Sequence, residues 1–469
     1  MHYIIYLVAF LEGFTTLSVE IVALRKFTPI IGSNSISTSI ILGVILLALS
    51  YGYYKGGQIA AEGKKVKSRL VTNLLFSSAY YFFLTFIFIE FILEGFLSFS
   101  GSYFLSILFS SIILFFIPVF LASQTIPLLG ELLKGKHSGE KMGKLLFYST
   151  IGSFVGSVST SVVFFPWIGV TKTAILSSLF LVVSAGLVMY CTKKYTVIKK
   201  VGVVILFSLY TTSLFHQDIG TGIIYSKANS YHTVTIYDTP RGYRIFSMDD
   251  AYSSGIIKNT NKSFFQYIQE VEQRVIESQP KNILVIGAAG FTFPNDIADF
   301  DFIDSIDVVD VDPSLKDIAE EYFLEKKLSD KITFYPQPSR FFLNNIGEKK
   351  YDFVLVDVYS GQSLPPQVLT QEFFQQLDTL SENIYLNIIA DAEGESKFSQ
   401  TFFSTLHSVF GDIYFLNTNN TDEGLTNFII STVSHDGYNK NYFKKSDIYI
   451  DDKYSIENDL FQLNQDFKR

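Results

Sequence analysis

The chain is poor in the residues from which disulfides and metal centres are built. Its 469 residues hold one cysteine, Cys191, and six histidines. A single thiol inside an apolar run excludes both a disulfide framework and a thiolate zinc site. Charge is scarce as well: 17% of residues are Asp, Glu, Lys or Arg, against about 25% in a soluble domain. Acidic groups are nearly missing from the first half, where residues 1–215 carry seven Asp and Glu against sixteen Lys and Arg. The remaining residues reverse the balance, with 38 acidic against 21 basic groups. These shortages exclude a single soluble domain, a collagen-like, coiled-coil or disordered chain, and a nucleic-acid binder working through a basic soluble face. What the chain does hold is apolar surface: 48% hydrophobic and 16% aromatic residues, with mean hydropathy +0.27.

The apolar surplus lies in the first half. A bilayer crossing needs about 20 mainly apolar residues. Seven stretches approach this length: Tyr3–Leu24, Ile36–Tyr54, Leu70–Ile92, Tyr103–Leu129, Leu145–Val163, Ala174–Cys191 and the short Val201–Phe215. The first has no basic leader and no small-residue cleavage site, so it reads as a retained span. Pro118 and Pro127 predict a kink or re-entrant end in the fourth. Thirteen Lys and Arg lie in the loops after spans two, four and six, against three in the other loops. This asymmetry predicts a multi-pass protein of the cell membrane with a cytoplasmic N-terminus. Seven spans would put the acidic half outside the cytoplasm, and six would put it inside. Glu12 and Glu20 fall within the first span, where ionised groups are costly and often functional. Glu20 precedes Arg25 by five residues and suits an ion pair, whereas Glu12 has no base nearby in sequence.

The second half reads as a doubly wound α/β domain. Two alternating runs, Thr233–Tyr237 and Tyr243–Ser247, flank a hairpin signal. A helical pattern over about 263–278 follows, and then strands Ile283–Ile286, Ile306–Val311, Ile332–Tyr335, Phe353–Val356 and Ile384–Ile389 alternate with helical segments. Ile413–Leu416 and Phe428–Val433 close the sheet as an antiparallel pair. Continuous apolar strands between helices predict a mainly parallel sheet covered on both faces. Ligands bind such sheets beyond the carboxyl ends of the strands, here Gly287, Asp310/Asp312, Pro336 and Asp357. Asp310 is placed for a ribose diol, although a strand-end Asp is also a common helix cap. Asp357, at the end of a central strand beside a Gly loop, is a general-base candidate. The expected domains are a transmembrane bundle over 1–217, a connector and hairpin over 218–258, the α/β domain over 259–435, and a loose tail over 436–469.

Particular runs resemble a known family. They include Leu17-Ser-Val-Glu20, Thr125-Ile-Pro127-Leu, Tyr148-Ser-Thr-Ile-Gly152, Ser230-Tyr-His232, Val285-Ile-Gly287 and Val309-Asp-Val-Asp312. The longest is Tyr351-Asp-Phe-Val-Leu-Val-Asp357-Val-Tyr-Ser-Gly-Gln-Ser-Leu-Pro365. Together they resemble the membrane-bound spermidine synthase (polyamine aminopropyltransferase) family, whose members fuse a multi-span bundle to a spermidine synthase-like domain. The resemblance implies a Rossmann-like, adenosylmethionine-dependent methyltransferase-like fold with a small N-terminal β-hairpin region. It also implies transfer of an aminopropyl group from decarboxylated S-adenosylmethionine, as co-substrate, to an amine such as putrescine. No metal is implied. Asp357 falls on the proton acceptor, Gly287, Asp310, Gln337 and His232 on the donor site, and Gln266 and Tyr359 on the amine site. The implied partners are a polyamine or other small amine, the adenosyl donor, the lipid bilayer and a possible second copy of the chain, with no nucleic acid.

The chain departs from the family pattern at several pocket positions. Gly290 stands where the glycine-rich loop carries an acid, and Pro338 beside Gln337 where the third strand's loop carries an Asp. His232 replaces a Gln, and Phe265-Gln266 the Tyr-His pair. A different acceptor, a different adenosyl donor, or a homologue that binds, senses or transports such ligands without catalysis would each suit this pattern. A methyltransferase of a membrane substrate is a further reading, resting on the sheet alone. Tyr359 reads equally as a packing residue, and His232 as a water-facing hairpin residue. A reporter fused at Arg469 tests the span count: seven spans place it outside the cytoplasm, six inside.

Overall fold

The computed structural model describes all residues except 1, 32–34, 64, 88–91, 93–94, 97–98, 100–102, 136, 193–201, 211–221, 230, 250, 360–363, 419–423, 441–446, 452–454 and 468–469. The chain divides into two compact units, one made of Met1–Ile219 with Ala228–Ser230, the other of Gly220–Lys227 with Tyr231–Arg469.

The first unit is helical. It opens with α1 (His2–Ile31), α2 (Ser35–Glu62) and α3 (Val66–Ile87). Four helical runs are long and apolar enough to cross a membrane: His2–Phe27, Ser35–Glu62, Phe104–Leu132 and Ser138–Cys191. The last has 54 residues, roughly 80 Å at 1.5 Å per residue and far beyond one crossing of about 30 Å. Gly169 divides it, with φ 80° and ψ 168°, outside helical space. The fifth and sixth expected spans are its two arms. Residues 202–210 of the seventh are helical, and the rest of that stretch lies outside the described residues. Large apolar side chains such as Leu47, Phe76, Phe154, Val162 and Trp167 point outward, and the interior mixes apolar residues such as Ile45, Leu74 and Leu129 with hydroxylated ones such as Ser78, Ser123 and Ser178. An apolar outer face with small and hydroxylated residues between helices suits a lipid surround.

The tightest helix pair is α1 with Ser138–Ser159. A Cβ on Gly13 would lie 2.0 Å from the Ser149 carbonyl oxygen, one on Gly152 2.1 Å from that of Phe10, and one on Gly156 2.3 Å from that of Phe14. The matches Phe10–Gly152 and Phe14–Gly156 advance together, so the two helices run parallel. Ser153 Oγ donates to the Gly13 carbonyl at 3.2 Å, and Ser18 and Thr160 hydroxyls meet at 2.7 Å. Backbone contact of this kind requires glycine at the seam.

The second unit holds two sheets. The smaller is antiparallel in the order β1 (Ile223–Ala228), β2 (Thr233–Asp238), β3 (Tyr243–Met248), β4 (Ala251–Ile257), β5 (Lys262–Ser263). The expected hairpin is its β2–β3 pair, and the expected connector contributes β1. The larger sheet contains β6 (Asn282–Ile286), β7 (Ser305–Asp310), β8 (Ile332–Pro336), β9 (Phe353–Val356), β10 (Ile384–Asp391), β11 (Tyr414–Asn417), β12 (Leu425–Ser431) and β13 (Asn439–Lys440). Their order is β13-β11-β12-β10-β9-β6-β7-β8, with β10, β9, β6, β7 and β8 parallel and β12 antiparallel to β10. The winding reverses between β6 and β9, which is the topological switch point.

Strand alternation divides the core between the sheet's faces. Leu284, Ile286, Val354, Val356 and Leu386 pack on one side with Phe373, Phe374 and Phe402. Ile283, Val285, Phe353, Leu355 and Tyr385 pack on the other with Val271, Val275 and Phe323. The end of the chain joins the first cluster. Tyr449 is fully buried, and Ile456, Leu460 and Leu463 of helix Ser455–Phe467 turn inward. Tyr449 and helix Ser455–Phe467, within the expected loose tail over 436–469, therefore depart from it, because Ile456, Leu460 and Leu463 form an i, i+4, i+7 stripe that the surrounding charged residues obscure in the sequence.

Gly152→Leu, which drives a side chain into the Phe10 carbonyl, is expected to lower the thermal midpoint of the detergent-solubilised protein, an overpacking cost of at least about 1–3 kcal/mol. Gly43→Leu, with nothing within 4 Å of an added Cβ, is expected to leave the midpoint unchanged.

Candidate active site

The site is organised by the turn leaving β6. Gly287 has φ 104°, a left-handed conformation that favours glycine. A Cβ there would stand 1.9 Å from the Asp357 carbonyl oxygen. Its N–H donates to the Val309 carbonyl at 2.9 Å, and the Asp357 N–H donates to the Ile286 carbonyl at 2.8 Å. The ends of β6, β7 and β9 are thereby drawn together at the switch point. Ala289 and Phe291 in the same loop also have positive φ, 41° and 56°, a concentration of backbone strain found at functional sites.

Asp357 follows β9 and is half-buried. Tyr267 Oη donates to its Oδ2 at 2.9 Å, and Asn387 Nδ2 donates to its Oδ1 at 2.8 Å. Tyr267 lies in the first turn of helix Gln266–Ser278, on the stripe of Val271 and Val275 that seats the helix on the sheet. Asn387 sits on β10 in the register position beside Asp357, since Leu386 pairs with Val356. Burial pushes the Asp357 carboxyl above the ordinary carboxylate range, and the two donated hydrogen bonds oppose that rise. Burial, reinforced by the Asp357 charge, holds the Tyr267 hydroxyl well above its ordinary value, so it remains a donor. The result is a carboxylate fixed in direction, with acceptor capacity left on both oxygens and a proton affinity shifted towards neutrality.

Asp310 ends β7. Its Oδ2 accepts the Ala288 N–H at 2.9 Å and its Oδ1 the Asp312 N–H at 3.1 Å. Burial raises its pKa, and these backbone donors pull the other way. Asp312 bonds both the N–H and the hydroxyl of Ser314, a local turn-forming role. His232, before β2, is buried, not water-facing. Its Nδ1 lies 3.0 Å from Asp249 Oδ2, and Asp249 Oδ1 accepts the Thr233 N–H at 2.8 Å. Asp249 is 2% exposed with φ 49°, a left-handed residue held in place by these bonds.

The other expected site residues are spread around this centre. Tyr359 is half-buried. Its hydroxyl donates to the Asn387 carbonyl at 3.3 Å and accepts the Ile389 N–H at 2.7 Å, so it braces β10. Gln337 follows the edge strand β8, its N–H bonded to the Tyr335 carbonyl. Gln266 is exposed at the start of its helix, and the adjoining Tyr267, not Gln266, meets Asp357. The helical face decides this: Gln266 lies off the buried stripe and Tyr267 on it. Gly290 has no room for an acid, since a Cβ would lie 2.6 Å from the Phe323 ring and 2.9 Å from Ser254 Cβ. Residues 360–363 of the long motif lie outside the described residues.

Sequence reading missed Tyr267, Asn387 and Asp249. The signal for Asn387 was available, as the polar residue within the apolar run Ile384–Ala390. Tyr267 was legible as i, i+4, i+8 with Val271 and Val275. Removing either donor takes a hydrogen bond from the ionised carboxylate, so Tyr267→Phe and Asn387→Ala are each expected to move the Asp357 titration to higher pH. Infrared difference titration of the carboxyl band, with Asp357→Asn as the blank, measures the shift.

No family model matches the chain. It is 26% identical over 222 residues to the polyamine aminopropyltransferase of Vibrio vulnificus, a match covering 45% of this chain and 73% of that protein. It is 22% identical over 391 residues to polyamine aminopropyltransferase 2 of Aquifex aeolicus, covering 78% of this chain and 75% of the relative. The match to the polyamine aminopropyltransferase of Alkaliphilus oremlandii, 25% identical, covers 32% of this chain and 53% of that protein. Among solved structures, a probable spermidine synthase from Corynebacterium glutamicum aligns over 48% of this chain and 84% of its own at 15% identity, with a TM-score of 0.39. The chain is a relative of proteins named polyamine aminopropyltransferases, which are transferases, and the similarity extends from the α/β unit into the helical one.

Proposed function

We propose that the chain is a membrane-embedded aminopropyltransferase that carries the aminopropyl group of decarboxylated S-adenosylmethionine to a small amine. The observation that carries this reading is Asp357, a half-buried carboxylate at the switch point held by Tyr267 and Asn387.

The reaction needs an amine nitrogen with a free electron pair, and in the proposed mechanism the Asp357 carboxylate frees it by taking a proton from the bound ammonium. The nitrogen then attacks the propyl carbon attached to sulfur, and a C–N bond forms as the C–S bond breaks. The bonding pair stays on sulfur, which leaves as the neutral thioether of methylthioadenosine. The nitrogen leaves as a secondary ammonium that keeps its remaining protons. Because the leaving group is already an activated sulfonium, the protein's task is to hold the amine in line and to take the first proton from it. A carboxyl with a raised pKa is a stronger base than an ordinary Asp. Before the transfer its charge attracts the cationic amine. Asp310, fixed by two backbone N–H groups, supports binding of the donor's ribose diol. His232 and Gln337 border the same strand ends.

The absence of space for an acid at Gly290 favours a donor amine held differently from that of the named relatives. The helical runs support an arrangement in which the first unit lies in the bilayer, with the Lys- and Arg-rich loops on its cytoplasmic side.

Purified protein incubated with decarboxylated S-adenosylmethionine and putrescine is expected to release methylthioadenosine, measured by chromatography. Asp357→Asn is expected to lower kcat by about 10²–10⁴. Methylthioadenosine release by Asp357→Asn at the wild-type rate, or none from wild type with any small amine, overturns the reading.

A further inference from the structure

The first unit contains an acid for which the transfer reaction has no use. Glu12 is 1% exposed within the run His2–Phe27. Its Oε2 accepts the Ser149 hydroxyl at 3.2 Å and its Oε1 the Thr16 hydroxyl at 3.4 Å. The Thr16 hydroxyl is better placed on the Glu12 carbonyl, at 2.9 Å. Both carboxylate contacts are long, and a carboxylate offers about four acceptor positions. Among the described residues no Lys, Arg or His side chain pairs with it. A buried carboxylate served only by two weak hydroxyl donors must hold a proton or be matched by a cation from outside the chain.

The surroundings fit exchange between those two states. Glu12 lies ten residues into α1 and Ser149 eleven residues into its parallel partner helix, about 15 Å from the start of each. In the run Phe104–Leu132 the hydrogen-bonding pattern shifts at Gln124, whose backbone keeps right-handed helical angles, φ −61° and ψ −14°. Gln124 is buried, with Oε1 accepting from Asn73 Nδ2 of α3 at 2.8 Å and Nε2 donating to the Phe120 carbonyl at 3.3 Å. The next residue, Thr125, is fully buried, and its hydroxyl has no hydrogen-bond partner among the described residues. Gly56 lets α2 approach Gln124, since a Cβ there would lie 2.9 Å from Gln124 Cα. Polar groups from four helical runs are thus buried within a largely apolar bundle. Buried intramembrane acids mark ion and substrate sites.

We propose that Glu12 is a cation-exchange site in the bundle, where the ammonium group of a primary amine displaces a proton. The protonated carboxyl gives up its proton to solvent water, and the resulting carboxylate takes the ammonium, whose three N–H donors suit the carboxylate and neighbouring hydroxyl oxygens. One negative charge among neutral oxygens matches a monovalent cationic group. The site rests on the reading that the first unit lies in lipid, and the choice of an amine on the proposed substrate class of the second unit. It does not depend on Asp357.

A hydrophobic carbodiimide, which reacts with protonated carboxyl groups in lipid, reads the site directly. The full chain in phosphatidylcholine nanodiscs is labelled and the Glu12 peptide quantified by mass spectrometry, with Glu12→Gln as the blank. Wild type and Asp357→Asn are both expected to be labelled at Glu12, and putrescine at millimolar concentration to slow labelling at least fivefold in both. Ser149→Ala, which keeps the acid, is expected to require a higher putrescine concentration for the same protection. Sodium chloride at matched ionic strength is expected to give no protection. Absence of labelling at Glu12 at any pH, labelling indifferent to putrescine, or equal protection by sodium overturns the proposal. Protection in a protein that transfers no aminopropyl group would leave this site standing and sink only the reading of the second unit.

Discussion

The second unit depends on the approach of one backbone to another at Gly287. Its missing side chain lets the end of β6 lie against the Asp357 carbonyl, and its N–H fixes the end of β7. That contact draws together the strand ends that carry the two acids. With it, Asp310 faces the loop through the Ala288 N–H, and Asp357 faces Tyr267 and Asn387. A glycine thus acts on the site through excluded volume, by keeping clear a space that any side chain would fill.

The same constraint governs the first unit at a different scale. Gly13, Gly152 and Gly156 bring two helices into backbone contact, and that closeness sets Ser149 against Glu12. In both units a polar group is positioned by glycine-permitted packing and then left with incomplete local compensation. Burial raises the proton affinity of Asp357 because its ionised form is poorly solvated, while two neutral donors offset only part of that loss. The proposed role of Asp357 draws on both features, a charge when ionised and a raised affinity for a proton.

The positions that depart from the family pattern are accommodated by packing and hydrogen bonds. Gly290 lacks the acid that the family resemblance implies, and Phe323 and Ser254 close the space where one would stand. His232, in place of a glutamine, is buried and oriented by Asp249. These changes are packed and hydrogen-bonded, so the region is a finished structure with a different distribution of charge.

The scarcity of acidic residues before residue 215, the apolar runs and the alternating strands were enough to establish two unlike halves and an α/β order, because burial in lipid and burial in a sheet leave periodic marks on local sequence. The strand ends, and so Asp310 and Asp357, were legible for the same reason. Which side chains meet them was not. Tyr267 is 90 residues from Asp357 and Asn387 is 30, and adjacency across such intervals is set by strand register and by the face on which a helix is seated. Gln266 and Tyr267 are neighbours in the chain, yet only Tyr267 reaches the carboxylate, since a helix turns about 100° per residue. The closing helix Ser455–Phe467 was hidden among polar residues until its stripe found the core. Local pattern determined the elements and their carboxylates; long-range packing decided which donors hold those carboxylates and left Glu12 buried without a cation among the described residues.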